Sequence, residues 1–354
     1  MSEPLRVGVI GCGVIAATHI EAYQRLVDVR VEWVCDLKRD RAEDRAEKYG
    51  VPQVTTDYRE MLADAELDLV SICTDHASHA EPVVACFEAG KHVLCEKALA
   101  ASIEQIDAMT AAHARHPELV FAGVFQHRHD PINRRLKELV ADGTLGTLLT
   151  ASMVLHCYRS NEYYRDDWHG TWDKEGGGVL INQAIHFLDA IQWIMGGVES
   201  ISAAYENFAH RGAIEVEDTI TAAVRFHGGA LGTLEATSGS NLNWEYTLAI
   251  HGTAGAVELR NDKPVKIVFQ DEATQQRVRD ALTPGESGPW VEGAKAYYGS
   301  GHTAQIADAV DAVREGRPPF VSGECAAVTA RLVLTAYESA RQRVWLDLTA
   351  AATI

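Results

Sequence analysis

A short apolar run, His92-Val93-Leu94-Cys95, ends on Glu96-Lys97. Ligands of open parallel sheets bind beyond the carboxyl ends of the strands. An amine at that point can polarise a hydroxyl or carbonyl group while hydride moves. A second group of chemistry-bearing residues lies in Glu175-Gly176-Gly177-Gly178-Val179-Leu180-Ile181-Asn182-Gln183-Ala184-Ile185-His186-Phe187-Leu188-Asp189. Three glycines before a helix allow close approach of a neighbouring group. Asn182 and His186, four apart, share one helix face, and Asp189, three further on, is placed to orient His186. A neutral imidazole titrates near neutral pH and suits proton transfer to or from a hydroxyl. A lone histidine in an apolar helix is more often a satisfied core residue. The glycine run and Lys97 turn the reading toward chemistry, with Lys97, His186 and Asn182 as catalytic candidates.

The chain opens with a third signal. Gly11-Cys12-Gly13-Val14-Ile15-Ala16 follows an apolar strand and begins a helix. It fits G-x-G-x-x-G/A, in which glycines give a tight turn, close approach to a pyrophosphate and tight helix–strand packing. The helix N-terminus offers unpaired N–H groups to the phosphates. Gly11, Gly13, Val14 and Ile15 are therefore candidate cofactor contacts. Asp36, 20 residues beyond Ala16, ends the second strand, where an acid accepts bonds from the adenosine ribose hydroxyls and repels a 2′-phosphate. NAD is favoured over NADP, although Lys38 and Arg39 follow directly and carry charge that suits a phosphate. Thr74, His79, Glu96 and Lys97, at or after later strand ends, complete the expected cofactor set.

Tyr158, Tyr163, Tyr164, Trp168 and Trp172 crowd one segment in a chain that is only 7% aromatic. Aromatic faces pack on the C–H faces of sugar rings and their polar edges hydrogen-bond, so Tyr158, Trp168 and Trp172 are candidate substrate contacts with Lys97, Arg128, Asn182 and His186. The competing reading is an oligomer contact or a satellite core. Gln126, His127, Arg128 and His129 follow the fifth strand, but show no known ligand spacing, and no metal is expected. His76 and His79 are read as capping or packing a helix.

These residues need a frame. Strands Leu5–Ile10, Arg30–Cys35, Leu67–Thr74, His92–Cys95 and Leu119–Phe125 alternate with helices over Gly13–Arg25, Lys38–Tyr49, His79–Ala89, Ser102–His116 and Pro131–Ala141. That series predicts a parallel sheet with right-handed crossovers. After Gly143–Gly146 the pattern changes to period-two strands over Thr147–Tyr158, Ile201–Phe208, Thr219–Phe226, Leu231–Ser238 and Tyr246–His251, which predict a mostly antiparallel sheet. A helix over Gly178–Met195 interrupts them. Helices over His302–Glu315 and Cys325–Gln342 are expected to return to the first domain, and residues 271–300 read as a long loop. The domains are expected at 1–125 and 126–354.

With 354 residues and 47% hydrophobic content, the chain can bury ordinary cores. A net charge of −18 argues against nucleic-acid and anionic-membrane partners, which need clustered Lys and Arg. The seven cysteines, with no C-x-x-C pair, read as buried reduced thiols of a cytoplasmic protein. No signal segment and no membrane-length apolar run is seen.

Together the fingerprint, Glu96-Lys97 and the glycine-run helix with His186 and Asp189 resemble the Gfo/Idh/MocA family of glucose–fructose oxidoreductase-like and inositol dehydrogenase-like enzymes. Asp75-His76-Ala77-Ser78-His79-Ala80-Glu81 through Cys95, Gly301-His302 and Glu315-Gly316-Arg317-Pro318-Pro319 extend the resemblance over nearly the whole chain. It implies an N-terminal Rossmann domain, a C-terminal α/β domain with an open sheet, and a homo-oligomer, dimer or tetramer, formed through that sheet. It matches Lys97 to the motif lysine and His186 to the catalytic histidine. Asn182 stands where many members carry an aspartate, and an amide supplies no negative charge. Ala98 replaces the motif proline. A cis bond there would cost about 3–4 kcal/mol instead of about 0.5–1, so a trans Lys97–Ala98 peptide is expected. The resulting function is NAD-dependent hydride transfer at a secondary hydroxyl of a sugar, polyol or sugar derivative. Two alternatives are glycoside cleavage by oxidation, elimination and re-reduction, and NAD sensing without turnover. The particular sugar, the carbon oxidised and the direction stay open.

Overall fold

In the computed structural model, which describes residues 3–283 and 301–348, the glycine turn closes the first strand of a six-stranded parallel sheet. Its strands are β1 (Leu5–Ile10), β2 (Val29–Cys35), β3 (Gln53–Thr55), β4 (Leu69–Ile72), β5 (His92–Cys95) and β6 (Phe121–Gly123), in the order β3-β2-β1-β4-β5-β6. This is the doubly wound order of dinucleotide-binding folds. Helices α1 (Val14–Gln24), α2 (Arg39–Tyr49), α3 (Tyr58–Leu62), α4 (Ala80–Glu88) and α5 (Ile103–Arg115) link the strands. β4 is buried along its whole length, as expected of a strand covered on both faces. Helix starts follow side-chain chemistry: Asp57 accepts a bond from Arg59 N, and Ser102 from Gln105 N. α9 (Gly301–Glu315) belongs to this first unit, residues 1–126 and 289–327 of the chain, and adds Ile306, Ala309 and Val310 to a core with Val7, Val9 and Ile20.

β3 and α3 are absent from the sequence-based reading. At three and five residues they are too short to display a period. The Lys97–Ala98 peptide is cis, which overturns the expected trans bond. The intrinsic preference of a free dipeptide does not decide here. The turn is buried, and the His79 imidazole Nδ1 contacts the carbonyls of Ala98 and Leu99 at 2.9 and 3.3 Å.

The second unit holds an eight-stranded sheet. Its strands are β7 (Leu148–Tyr158), β8 (Val198–Glu206), β9 (Thr219–Phe226), β10 (Leu231–Thr237), β11 (Gly239–Gly252), β12 (Gly255–Arg260), β13 (Lys263–Phe269) and β14 (Leu346–Asp347). The order is β13-β12-β11-β7-β10-β9-β8-β14, antiparallel except for the β7–β10 pair. α6 (Pro131–Ala141), a π-helical turn Leu180–Ala184 running into α7 (Ile185–Ile194), α8 (Glu272–Leu282) and most of α10 (Gly323–Gln342) complete it. β10 alternates buried Gly232, Leu234 and Ala236 with exposed Leu231, Thr233 and Glu235, so one sheet face is solvated in the chain alone. Part of the expected 271–300 loop is α8, capped by Asp271. Only Val278 and Leu282 of α8 are buried, too few apolar positions for the period to show. Residues 284–300 lie outside the described residues. The β12–β13 hairpin also escaped notice. Its turn places Asn261 and Asp262 at positive φ, 47° and 60°, as a two-residue primed turn requires.

The seven cysteines are all free, six of them buried. No helix among the described residues is long and apolar enough to cross a membrane.

Candidate active site

In the first unit, strand ends gather the predicted cofactor residues. Gly11 takes φ +90°, and a Cβ there would collide with the backbone of Cys73 and Thr74. β1 and β4 can therefore approach this closely only with glycine at the turn. Gly13 differs. Its φ is −69°, and a Cβ built on it meets no atom of the described residues within 4 Å. It opens α1, which has no side-chain cap and no acid in its first turn, and Val14 beside it is exposed. An open cradle at an uncapped helix N-terminus fits the pyrophosphate of a dinucleotide. Asp36 adjoins the same turn, its two carboxylate oxygens accepting bonds from Cys12 N and Lys38 N at 2.8 Å each. Arg45 of α2 braces the turn from outside by donating to the carbonyls of Cys12 and Gly13 at 3.2 and 3.1 Å. Ile15 is partly buried against the unit's core.

His79 and Glu96, expected to touch the cofactor, are buried braces whose hydrogen bonds run to protein groups. His79 Nε2 lies 3.2 Å from the Thr74 carbonyl, so its ring ties the Thr74 loop to the Lys97–Ala98 turn. Glu96 contacts His19 Nε2 at 2.9 Å and accepts from Lys97 N at 3.0 Å. His302 of α9 lies 3.8 Å away. Burial opposes ionisation of Glu96, but hydrogen bonds from His19 and His302 outweigh it and hold the carboxyl well below the usual range. His19 in turn reaches Ser71 and, through it, Tyr23. Neither His19 nor His302 was singled out for chemistry from sequence. Each sits alone on a helix, and only the fold brings it to Glu96.

The second unit arranges the rest. The glycine run is held by Glu217, whose carboxylate accepts from Gly178 N (2.7 Å), Leu180 N (3.0 Å) and the Tyr337 hydroxyl (2.8 Å). Burial pushes this carboxyl up to about 7 against those hydrogen bonds. Gly178 has no room for a side chain beside the Glu217 backbone. The π-helical turn that follows carries Asn182, a kind of distortion frequent at functional sites. Asn182 Nδ2 donates to the buried Glu175 carboxylate and lies 3.4 Å from the Tyr163 hydroxyl, which Gln183 Nε2 also approaches at 3.3 Å. Among the described residues no donor reaches the buried Gln183 Oε1. Glu175, Tyr163 and Gln183 thus join the site without having been assigned a role. Glu175 could have been suspected as the one acid abutting the glycine run.

His186 packs edge-on against His127, with ring centroids 5.7 Å apart. His127 Nδ1 pairs with Asp130 at 2.6 Å. Burial opposes charge on His127, but Asp130, Asp262 and Asp189 prevail and raise its pKa. His127, Asp130 and Asp262 bring metal-type ligand atoms within 4.8 Å of one another, a convergence of the turn before α6 with the β12–β13 turn that spacing does not reveal.

Three expectations change. Asp189, expected to orient His186, has strong partners of its own. It forms a bidentate pair with Arg128, both bonds 2.7 Å, and accepts from Thr329 at 2.6 Å. Arg128 is correspondingly 1% exposed, a core ion pair and not a surface offered to substrate. The aromatic segment divides. Trp172 packs on Tyr337 and Tyr205, under Arg341, and donates to the Glu215 carbonyl. Trp172 is therefore satellite core, and Tyr164 is likewise buried against His210 and Ser238. Trp168 stacks on His169, which packs on Tyr163 beside Asn182. Tyr158 is exposed at the end of β7.

Comparison with known proteins follows this geometry. Residues 5–124 match the oxidoreductase family with an NAD-binding Rossmann fold, and residues 133–258 match the GFO/IDH/MocA C-terminal domain. The chain is 28% identical to myo-inositol 2-dehydrogenase of Thermotoga maritima, over 90% of this chain and 91% of that protein. It is 33% identical to D-glucoside 3-dehydrogenase of Escherichia coli, over 68% of this chain and 72% of the relative. Among solved structures, the WlbA dehydrogenase of Bordetella pertussis, in complex with NADH and UDP-GlcNAcA, aligns with a TM-score of 0.88 at 26% identity, covering 99% of both chains.

Proposed function

We propose, since this chain belongs to the Gfo/Idh/MocA oxidoreductase family with its NAD-binding Rossmann domain, that it oxidises a secondary hydroxyl of a sugar, polyol or sugar derivative and reduces the matching ketone. The observation that carries this reading is the polar wall of the second unit, where the Tyr163 hydroxyl and the Glu175 carboxylate meet Asn182 and Gln183 of the π-helical turn that runs into the helix bearing His186. Such a wall suits a ligand rich in hydroxyl groups, and the neighbouring Trp168–His169 pair suits a sugar face. The dehydrogenases named above act on or bind ligands of this chemistry.

Gly11, Gly13, Val14, Ile15, Asp36 and Thr74 would hold NAD, whose nicotinamide accepts or returns the hydride when bound. Lys97 polarises the reacting oxygen. His186 takes the hydroxyl proton in oxidation and returns it in reduction, with His127 packed against its ring. Asn182 orients the substrate. Asp36 directs the preference toward NAD, because its carboxylate stands at the turn where a 2′-phosphate would bring like charge. No observation favours glycoside cleavage or NAD sensing without turnover. The protein works in the cytoplasm as a homo-oligomer built on the solvated face of the eight-stranded sheet, where Leu231, Thr233 and Glu235 of β10 are exposed.

The deciding experiment is a screen of sugars, polyols and sugar acids for the absorbance of reduced nicotinamide, repeated with Lys97→Ala and His186→Ala. Each variant should lower kcat strongly and leave NAD affinity nearly unchanged. Full turnover in either variant would remove that residue from the reaction, and tighter NADPH than NADH binding would overturn the cofactor preference.

A further inference from the structure

We infer that Glu175 is a positioning residue that fixes the Asn182 amide as a hydrogen-bond acceptor toward the substrate; the inference rests on the proposed substrate role of Asn182. Glu175 is 1% exposed. It leaves the turn just before the glycine run, and its backbone N donates to the Thr171 carbonyl. One carboxylate oxygen accepts from Gly170 N at 2.5 Å and the other from Asn182 Nδ2. An ionised carboxylate only accepts hydrogen bonds. The side of the Asn182 amide facing it must therefore be the NH2 group, so chemistry decides which way the amide points. The Tyr163 hydroxyl lies on that same nitrogen. Oδ1 is then the face that Asn182 turns away from Glu175.

Two consequences follow. The Asn182 subsite selects a hydroxyl donor on the substrate, and discriminates against a carbonyl or carboxylate at that position by leaving two acceptors opposed. Glu175 also places a buried carboxyl group one side chain behind the Asn182 amide, which it polarises through their hydrogen bond. A second carboxylate at position 182 would meet the first at hydrogen-bond distance. Buried like charges so close cannot both ionise, and the pair would titrate as a unit.

The experiment is a charge exchange using Asn182→Ala, Asn182→Asp, Glu175→Gln and the double variant Glu175→Gln/Asn182→Asp. Two readouts apply: NADH formation from myo-inositol and methyl glucoside, and melting temperature from pH 4 to pH 9. Asn182→Asp alone should lose about tenfold or more of kcat/KM at neutral pH, since one carboxyl must take up a proton. Its melting temperature relative to wild type should fall as pH rises from about 4, because the pair's folded pKa lies above the unfolded value of about 4. Glu175→Gln alone should raise KM by freeing the amide to flip. The double variant restores one charge and one NH2 donor with their positions exchanged, and should recover both activity and the pH-independent melting difference.

A double variant no better than Asn182→Asp on either readout overturns the inference. If Asn182→Ala is inactive in that case, the substrate role of Asn182 stands without Glu175. Wild-type kinetics in Asn182→Ala would remove both. The melting series needs no substrate, so it decides the charge coupling even where turnover is too low to measure.

Discussion

Replacing Asp189 by asparagine separates two roles for the same residue. Arg128 and Asp189 are 1% and 0% exposed. They share two bonds of 2.7 Å, and Thr329 donates to the same carboxylate. The guanidinium also lies 5.5 Å from the centre of the Trp193 ring, over which Lys137 sits at 5.0 Å. Asp189→Asn keeps the shape and removes the carboxylate charge that the bidentate geometry sets against the guanidinium. Removing one member of a buried pair costs about 3–5 kcal/mol, and the isosteric amide keeps one acceptor, so the lower end applies. A domain of 150–250 residues loses about 2–4 °C per kcal/mol, which places the expected drop in melting temperature at roughly 6–12 °C. Circular dichroism melts at fixed pH and salt measure it. Replacing both partners, Arg128→Met with Asp189→Leu, should recover most of the loss, since an apolar pair of similar volume is often neutral or better. A single variant melting within about 2 °C of wild type would refute the ion-pair account. If that variant had also lost kcat, Asp189 would regain its expected role beside the catalytic imidazole.

The two fingerprint glycines should respond in opposite ways. Gly13→Ala places a methyl where no atom of the described residues lies within 4 Å, so the apoprotein should melt as wild type while NAD dissociates at least about tenfold more readily by calorimetric titration. Gly11→Ala, at φ +90° and against the Cys73 carbonyl, should lower soluble yield and melting temperature instead. His127 has a raised pKa, so its stabilising charge is complete below the unfolded value of about 6.5 and lost as pH climbs through the folded one. The melting difference between wild type and His127→Gln should therefore be largest near pH 6 and shrink toward pH 9, and a difference that grows with pH would contradict it. Burial raises the thiols of Cys12 and Cys35 to about 12 and those of Cys73 and Cys95 well above their usual range. An aromatic disulfide reagent should thus titrate one thiol rapidly in the native protein, the half-buried Cys325, and Cys325→Ser should abolish that phase.

The parallel sheet was legible, β3 apart, because its strands are short runs rich in apolar residues that alternate with helices, and β1, β5, β9 and α6 begin and end where the periodicity says. The fingerprint was legible because its geometry is local: Gly11, Gly13 and Asp36 need only a strand, a turn and a helix. The constellation around Asn182 was only half legible. Asn182 and His186 share a helix, and spacing reveals such pairs. Glu175 lies in an irregular turn seven residues earlier, and the His127–Asp130–Asp262 group depends on a hairpin tip more than 130 residues further along the chain. The partner of Asp189 was hidden for a related reason. One-turn spacing to His186 is visible in sequence, whereas the bidentate partner Arg128 lies 61 residues upstream. Trp172 looked like a pocket wall by composition, and its true neighbours Tyr205 and Tyr337 come from distant elements.

α9 has a consequence for biosynthesis. The sheet-bearing part of the first unit ends at residue 126, yet Ile306, Ala309 and Val310 of its core, and the His302 that faces Glu96, belong to the segment beginning at Gly301. At roughly 5–20 residues per second of synthesis, some 175 residues separate these parts by about 10–35 s. Throughout that interval the nascent nucleotide-binding unit leaves the ribosome with one flank of α1 uncovered, so its maturation is tied to completion of the polypeptide, and chaperone protection would be needed between the synthesis of residue 126 and that of α9.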